Sequence, residues 1–135
     1  MAFIEWDDSL SVYIAEIDRQ HKKLIAMINE LHDAMRHRQS KLVLSQIIEG
    51  LIGYAGTHFR TEERYFERYG YPDEIPHKQE HAAFTLKVAE FKHNYDVGKF
   101  GLSMDLLDFL SDWLKNHIKV VDKKYALFFN EKGLK

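Results

Sequence analysis

The stretch HKKLIAMINELHDAM, residues 21–35, decides the fold class of this chain. Its apolar residues recur every three or four positions, which is the period at which side chains line one face of an α-helix. Polar and charged residues fill the other positions, as on a helix with one face in a core and the other in water. The stretch predicts an amphipathic helix over about residues 18–38, with Asp18 as its N-cap or as an acid of its first turn.

The same period continues along the chain and is interrupted where glycine and proline cluster. It predicts further helices over about 41–69, 75–96 and 102–119 and a short helix over about 121–130, after an irregular arm over 1–17. Long amphipathic helices joined by short loops predict one all-α domain over 1–135, an antiparallel up-down four-helix bundle with an N-terminal arm and a short C-terminal helix. Gly50, Gly53 and Gly56 reduce helix propensity in the second helix, and we interpret them as points of close helix packing.

Composition narrows the classes of function. The chain has 135 residues, a formal net charge of -2 and no cysteine. This charge gives no basic footprint for nucleic acid, and no apolar run is long enough to span a membrane. The opening residues, MAFIEWDDSL, lack the basic and apolar regions of a signal peptide, so we expect a soluble cytoplasmic protein. Without cysteine, a metal site must use nitrogen and oxygen ligands.

Histidine and carboxylate residues stand at spacings that suit a metal site. His58 and Glu62 lie four apart in HFRTE, and His77 and His81 lie four apart in HKQEH. Side chains four apart on a helix share one face, so each pair can reach a common point. His21, in DRQHKKL, places a further imidazole on the first helix. Each piece alone is typical of a surface ion pair or an isolated histidine, but their conjunction indicates a site inside the bundle.

The stretch HIKVVD, residues 117–122, adds a histidine and an aspartate five positions apart. In a regular α-helix this spacing would turn Asp122 about 140° away from His117. If both side chains join one site, the helix cannot be regular there. We therefore predict a π-type widening, or a break and restart, near Val120–Val121.

Five imidazoles and two carboxylates are too many ligands for one metal ion and about right for two octahedral ions. A carboxylate has two oxygens and can bridge, whereas an imidazole nitrogen normally cannot, so Glu62 and Asp122 are expected to bridge. Nitrogen-rich ligation without sulfur favours iron and leaves manganese, cobalt and zinc open.

The segments DRQHKKL, HFRTEERYF, YPDEIPHKQEHAAF and WLKNHIKVVD together resemble the hemerythrin family, in particular its single-domain bacterial members, the bacteriohemerythrins. The resemblance covers essentially the whole chain and departs at Tyr13, where family members often carry glycine. It implies a non-heme di-iron centre that binds O2 reversibly. In that centre one iron is coordinatively filled and is held by His77, His81 and His117. The other iron is held by His21 and His58 and has a position open for O2. The two irons are bridged by Glu62, Asp122 and an oxo or hydroxo group.

Residues beside these ligands are candidates for supporting roles. The candidates for an O2 pocket that excludes water are Leu24, Phe59, Trp113, Leu114 and Ile118, which can equally be read as ordinary core residues. The candidates for orienting the ligands from behind are Asp18, Glu63, Glu80 and Tyr125. Three further histidines, His32, His37 and His93, have no ligand partner at a useful spacing and are expected at the surface.

The expected function is reversible O2 binding for oxygen storage, transport or delivery, without catalysis. Five neutral imidazoles favour binding, because ferritin-like di-iron catalysts use four carboxylates and two histidines. O2 is the expected ligand, small anions and NO are further ligands, and an oxygen-consuming enzyme is the recipient in a delivery role. The alternatives are a di-iron oxidase or peroxidase, an O2 sensing or scavenging module that acts with a separate partner, and a metal-free structural bundle.

Overall fold

The computed structural model describes residues 3–135, except for the side chains of Ser40 and Leu42, and this part of the chain is helical without strands. The helices are α1 (Ala15–Arg36), α2 (Ser40–Tyr69), α3 (Glu74–Asp96), α4 (Leu102–Trp113) and α5 (Asp122–Glu131), with a π-helical segment (Leu114–Val121) between the last two and a short 3-10 turn (Asp8–Leu10) before the first. Helices α1 and α3 each pack against both α2 and α4. The prediction of an all-α four-helix bundle is confirmed. None of the helices in residues 3–135 has a stretch long and apolar enough to cross a bilayer.

Two glycines in the left-handed region separate the long helices. Gly70 follows α2 with φ 65°, and its N–H donates to the carbonyl oxygen of Phe66. Gly101 precedes α4 with φ 78°. Because glycine has no Cβ, it adopts these angles without steric cost, and the helices end where the sequence places it.

The first helix begins earlier than its sequence pattern predicts. Helix α1 starts at Ala15 rather than at residue 18, so the arm ends at residue 14; residues 1 and 2 of the predicted arm lie outside the described part. Asp18 lies in the first turn of α1. Its carboxylate accepts hydrogen bonds from Ser11 Oγ at 2.6 Å and from the Val12 N–H at 2.9 Å. Asp18 therefore fastens the arm to the helix instead of capping it.

The last helix has no break. The predicted helices over 102–119 and 121–130 form one continuous run, because Trp113, Leu114, Val121 and Asp122 all have right-handed helical backbone angles. The π-helical segment joins α4 to α5 and accommodates extra backbone without interrupting the helix. The predicted short C-terminal helix is thus the continuation of the fourth.

Tyr13, where the chain departs from the hemerythrin pattern, has the left-handed φ of 57°. Glycine takes this angle freely, whereas a side chain with a Cβ is strained by roughly 1–2 kcal/mol. The ring of Tyr13 is exposed, and its carbonyl oxygen accepts a hydrogen bond from Asn130 Nδ2 at 3.2 Å. The backbone conformation therefore explains the family's glycine, and the substitution leaves the turn in place.

Two apolar clusters fill the interior and enclose a polar layer between them. Along α1, Ile17 belongs to one cluster and Leu24 to the other, with His21 between them. Along α2 the order is reversed, because Phe59 precedes Glu62 and Phe66 follows it, each in a different cluster. The antiparallel directions of α1 and α2 bring the two polar residues to the same level. The bundle thus positions a buried polar layer between two hydrophobic ones.

Candidate metal centre

All seven side chains predicted from the sequence as ligands converge in this layer. They are each at most 2% exposed, and they form two groups that share one carboxylate. Within each group the potential ligand atoms lie within 4.8 Å of one another. One group is Glu62, His77, His81 and His117, and the other is His21, His58, Glu62 and Asp122.

The π-helical segment turns Asp122 into the site. The Asp122 N–H donates to the carbonyl oxygen of His117, five residues earlier, which is the hydrogen-bond pattern of a π-helix. The expectation of an irregular helix between these residues is confirmed. The irregularity is longer than predicted, because it begins at Leu114 and ends at Val121.

The Asp122 carboxylate divides its two oxygens between the two groups. Its Oδ1 lies 3.0 Å from Nε2 of both His77 and His117, and its Oδ2 lies 3.1 Å from Nε2 of His21. The Asp122 carboxylate would therefore be available to ions held by either group.

Glu62 also lies between the groups, but through one oxygen. Its Oε1 lies 3.1 Å from Nε2 of both His58 and His81. Its Oε2 accepts a hydrogen bond from the Tyr125 hydroxyl. One carboxylate oxygen therefore faces the centre of the layer while the other is held by a neighbouring phenol.

The donor atoms at the centre lack hydrogen-bond partners among the described residues. Unpartnered atoms include Nε2 of His77, His81 and His117, Oε1 of Glu62 and both carboxylate oxygens of Asp122. Burying polar atoms without partners costs on the order of 1–3 kcal/mol each, so this many in one place requires an occupant. Imidazole nitrogens and carboxylate oxygens without sulfur fit iron, and also manganese, cobalt or zinc. The residues present therefore fit a pair of metal ions.

The two carboxylates are ionised despite their burial. Burial raises the pKa of Asp122, but the charge of His117 and the proximity of the His21 and His77 imidazoles outweigh it and hold the pKa well below its usual value. Burial and the charge of Asp122 likewise raise the pKa of Glu62, but His58 and His81 outweigh both and lower it. Burial lowers the pKa of His117, yet Asp122 and Glu62 raise it to about 9. The layer thus holds two carboxylates whose negative charge a metal could neutralise in place of the second proton on His117.

Carboxylates orient two imidazoles from behind. His81 Nδ1 donates to Glu63 Oε2 at 2.9 Å, and His117 Nδ1 donates to Glu80 Oε1 at 2.9 Å. In the neutral ring a proton on Nδ1 leaves the Nε2 lone pair for a metal, which would take the place of the second proton. Glu63 and Glu80 therefore take the supporting role predicted for them.

An amide, rather than a carboxylate, supports His58. Its Nδ1 donates to Gln20 Oε1 at 2.6 Å, and Gln20 Nε2 donates to Thr61 Oγ1 at 3.2 Å. Sequence reasoning missed Gln20, although its place directly before His21 could have drawn attention to it. It also wrongly assigned Asp18 to this role, because that carboxylate binds the arm.

Comparison with known proteins identifies the family of this chain. A sequence profile of the hemerythrin HHE cation binding domain matches residues 12–127. The chain belongs to the hemerythrin family. The bacteriohemerythrin of Stenotrophomonas maltophilia is 37% identical over 126 residues, covering 93% of this chain and 81% of the relative. That of Methylococcus capsulatus is 32% identical over 127 residues, covering 93% and 96%. A crystal structure of wild-type hemerythrin matches with a TM-score of 0.83 and 31% identity, covering 93% of this chain and 96% of that one.

In this hemerythrin fold the predicted pocket residues divide into two sets. Leu24, Leu114 and Ile118 are buried in one apolar cluster beside the ligands. The ring of Phe59 stacks on His81 with centroids 3.8 Å apart and that of Trp113 on His117 at 3.9 Å. Both rings thus cover imidazoles of the three-histidine half, and the Phe59 ring also lies 5.7 Å from that of His58 in the two-histidine half.

Tyr54 lies against the two-histidine half, and the sequence analysis did not single it out. Its ring stacks on that of His58 with centroids 5.0 Å apart, and its hydroxyl is buried without a hydrogen-bond partner among the described residues. Burial, followed by the charges of Glu62 and Asp122, raises the pKa of the phenol well above its usual value. The spacing of four from His58 on one helix is the signal that could have identified it.

The three histidines expected at the surface lie outside the polar layer. His37 and His93 are exposed, and His32 is half-buried with its ring stacked on Phe3 at 4.2 Å.

Proposed function

We propose that this chain binds O2 reversibly at a pair of non-heme iron ions, for oxygen storage, transport or delivery. The observation that supports this most strongly is the donor set, in which buried imidazoles and carboxylates converge with unpartnered atoms facing inward. When bound, the iron pair supplies the electrons that O2 takes up on binding and returns on release. Membership of the hemerythrin family and similarity to bacteriohemerythrins support the same assignment.

The two halves of the site differ in their number of imidazoles. His77, His81 and His117 would hold one ion, while His21 and His58 would hold the other. The two carboxylates, Glu62 and Asp122, would be shared between the ions. The half with one imidazole fewer is where we place the room for O2.

The chain contributes to reversibility by excluding water. The polar layer lies between two apolar clusters, and Leu24, Leu114 and Ile118 are each at most 5% exposed beside it. Water or a stray proton would promote irreversible loss of electrons from the iron pair to O2. A dry pocket also strengthens every electrostatic interaction in the layer.

The donor set favours binding over catalysis. Ferritin-like di-iron catalysts surround their metals with four carboxylates and two histidines. Here neutral imidazoles outnumber the carboxylates, so the site supplies less negative charge to stabilise highly oxidised iron. We infer that the protein is a carrier and not an oxidase or a peroxidase.

Iron analysis combined with absorption spectra under O2 and argon tests the proposal. We expect two irons per chain and charge-transfer bands that appear with O2 and disappear when it is removed. His21→Ala should abolish these bands, whereas His37→Ala, which changes an exposed histidine, should leave them intact. One ion or none per chain, or steady turnover of a reducing substrate under O2, would refute the assignment.

A further inference from the structure

A cleft between α1 and α2 leads from solvent to the two-histidine half of the site. Its volume is about 510 Å³. Exposed residues form its outer part, among them Lys23, Ala26 and Gly53, while the buried Tyr54 and His58 form its inner end. Of the two groups of potential ligands, the cleft therefore reaches the one that contains His58.

Glycines keep this cleft open. A Cβ at Gly53 would meet no atom within 4 Å, and one at Gly50 would approach Met27 Sδ at 3.0 Å. Our interpretation of these glycines as points of close packing is consistent with Gly50 and wrong for Gly53 and Gly56, since open space lies beside each of the latter two. Glycine lowers helix propensity, so Gly53 makes α2 less stable while it leaves the cleft beside it unfilled.

Tyr54 gives the inner end of the cleft an unsatisfied hydrogen-bonding group. The residue is 8% exposed, and its hydroxyl has no partner among the described residues. A buried hydroxyl without a partner is unfavourable unless something else supplies one. A small ligand that has passed along the cleft would arrive beside this hydroxyl and beside His58.

A second large groove near the site leads to the three-histidine half. It lies between α2 and α3, has a volume of about 1110 Å³ and is lined by Phe59, His81 and Gly56, among others. There the Phe59 ring covers the imidazole of His81 at 3.8 Å, and Glu63 occupies its outer nitrogen at 2.9 Å. The groove therefore ends at an imidazole of the three-histidine group, where no open position for O2 is expected.

We propose that the α1–α2 cleft is the route by which small ligands, O2 or a monoanion such as azide, reach the two-histidine half, and that the Tyr54 hydroxyl donates a hydrogen bond to them at its inner end. This inference rests on the proposed function, because it assigns the path to the site described above. It identifies Gly53 as the residue that keeps the path open and Tyr54 as the residue that retains the ligand.

Two matched substitutions on α2 test the route. Gly53→Leu fills the cleft, whereas Gly56→Leu places the same side chain in the α2–α3 groove, where a Cβ also meets nothing within 4 Å. Stopped-flow mixing would measure azide association with the ferric protein and O2 association with the ferrous protein. We expect Gly53→Leu to slow both rates on the order of ten-fold, with unchanged iron content, and Gly56→Leu to match the parent.

Tyr54→Phe separates retention from access. The variant keeps the ring and leaves the cleft its shape, so association rates should stay at the parent value. Loss of one hydrogen bond should raise the azide dissociation rate on the order of ten-fold. A dissociation rate equal to that of the parent would remove Tyr54 from the proposal.

Xenon gives a readout that does not depend on iron. In crystals pressurised with xenon, we expect a xenon atom between α1 and α2 near Tyr54 in the parent and none there in Gly53→Leu. Parent association rates in Gly53→Leu, or xenon bound only elsewhere, would overturn the route even if O2 binding is intact. Absence of iron or of O2-dependent bands in the parent would instead refute the proposed function, and the xenon result would still decide whether the cleft admits gas.

Discussion

The backbone N–H of Asp122 donates to the carbonyl oxygen of His117, five residues earlier in the chain. Each turn of the helix is therefore wider here than in an α-helix. Because of this wider turn, Asp122, five residues after His117, returns to the side of the helix that faces the site. A sequence spacing that suits no regular helix thus becomes a pair of neighbours, with Asp122 Oδ1 3.0 Å from His117 Nε2.

Changing the number of residues in this segment tests whether its wide π-helical turn is what aligns Asp122 with His117. Deletion of Val120, whose side chain is 55% exposed, leaves a spacing of four, which a regular α-helix aligns to within about 40°. Insertion of one alanine before Val120 gives a spacing of six, which neither an α-helix nor a π-helix aligns. We expect the deletion variant to retain two irons per chain and the insertion variant to lose iron. Equal iron content in the two variants would contradict this account of the segment.

The carboxylate behind His81 should strengthen metal binding. Glu63→Gln replaces a charged acceptor with a neutral one, and changes of this kind typically weaken metal affinity by about 10–100-fold. Competition with a chelator would measure the loss. Glu67→Gln removes an exposed acid one turn further along α2 and should leave affinity unchanged. The same loss in both variants would mean that general charge, rather than the contact with His81, is responsible.

The hydroxyl of Tyr125 should stabilise the fold through Glu62. Tyr125 is fully buried, and its phenol donates to a carboxylate oxygen that has few alternative donors. Tyr125→Phe should lower the free energy of unfolding by roughly 1.5–3 kcal/mol, the range for a hydrogen bond to a charged group. Urea titration of the iron-loaded protein would measure the change. Tyr95→Phe alters a half-exposed phenol and should change stability by less than about 0.5 kcal/mol.

Leu114 should protect the iron pair from water. Leu114→Ala opens a cavity beside the ligands, which should cost about 2–5 kcal/mol of stability and speed both autoxidation and azide binding. Leu107→Ala removes the same atoms from a buried position seven residues earlier in the same apolar cluster, so it should destabilise the protein without changing those rates. Unchanged rates in Leu114→Ala would exclude this residue from the pocket.

Local patterns in the sequence account for most of the architecture. Helical periodicity and glycine positions predict both ends of the first three long helices and the start of the fourth to within about three residues, because both act within a few residues of the chain. The pairs His58–Glu62 and His77–His81 were predictable for the same reason, because a spacing of four depends only on the helix that carries both residues. The predicted seven side chains converge because each sits on the inward face of a helix whose other inward residues are apolar.

Features that depend on how one helix is rotated against another were not predictable. Gln20 supports His58 across the α1–α2 interface, and no pattern within either helix specifies that contact. The Phe59 ring lies 5.7 Å from that of its neighbour His58, but its closer stacking on His81 of α3, at 3.8 Å, depends on how α2 and α3 are rotated against each other. The partner of Asp18 likewise depends on how the arm folds back along α1.

The contact between His21 and Asp122, 3.1 Å apart, also sets a limit on when the site can come into being. A ribosome makes the chain from its amino end, so α1, α2 and α3 emerge from it before His117 and Asp122 do. A nascent chain at that stage carries one carboxylate of the pair and lacks the residue that spans both halves. The complete donor set is therefore assembled late in biosynthesis, after the segment that begins at Leu114 has left the ribosome and closed against the first helix.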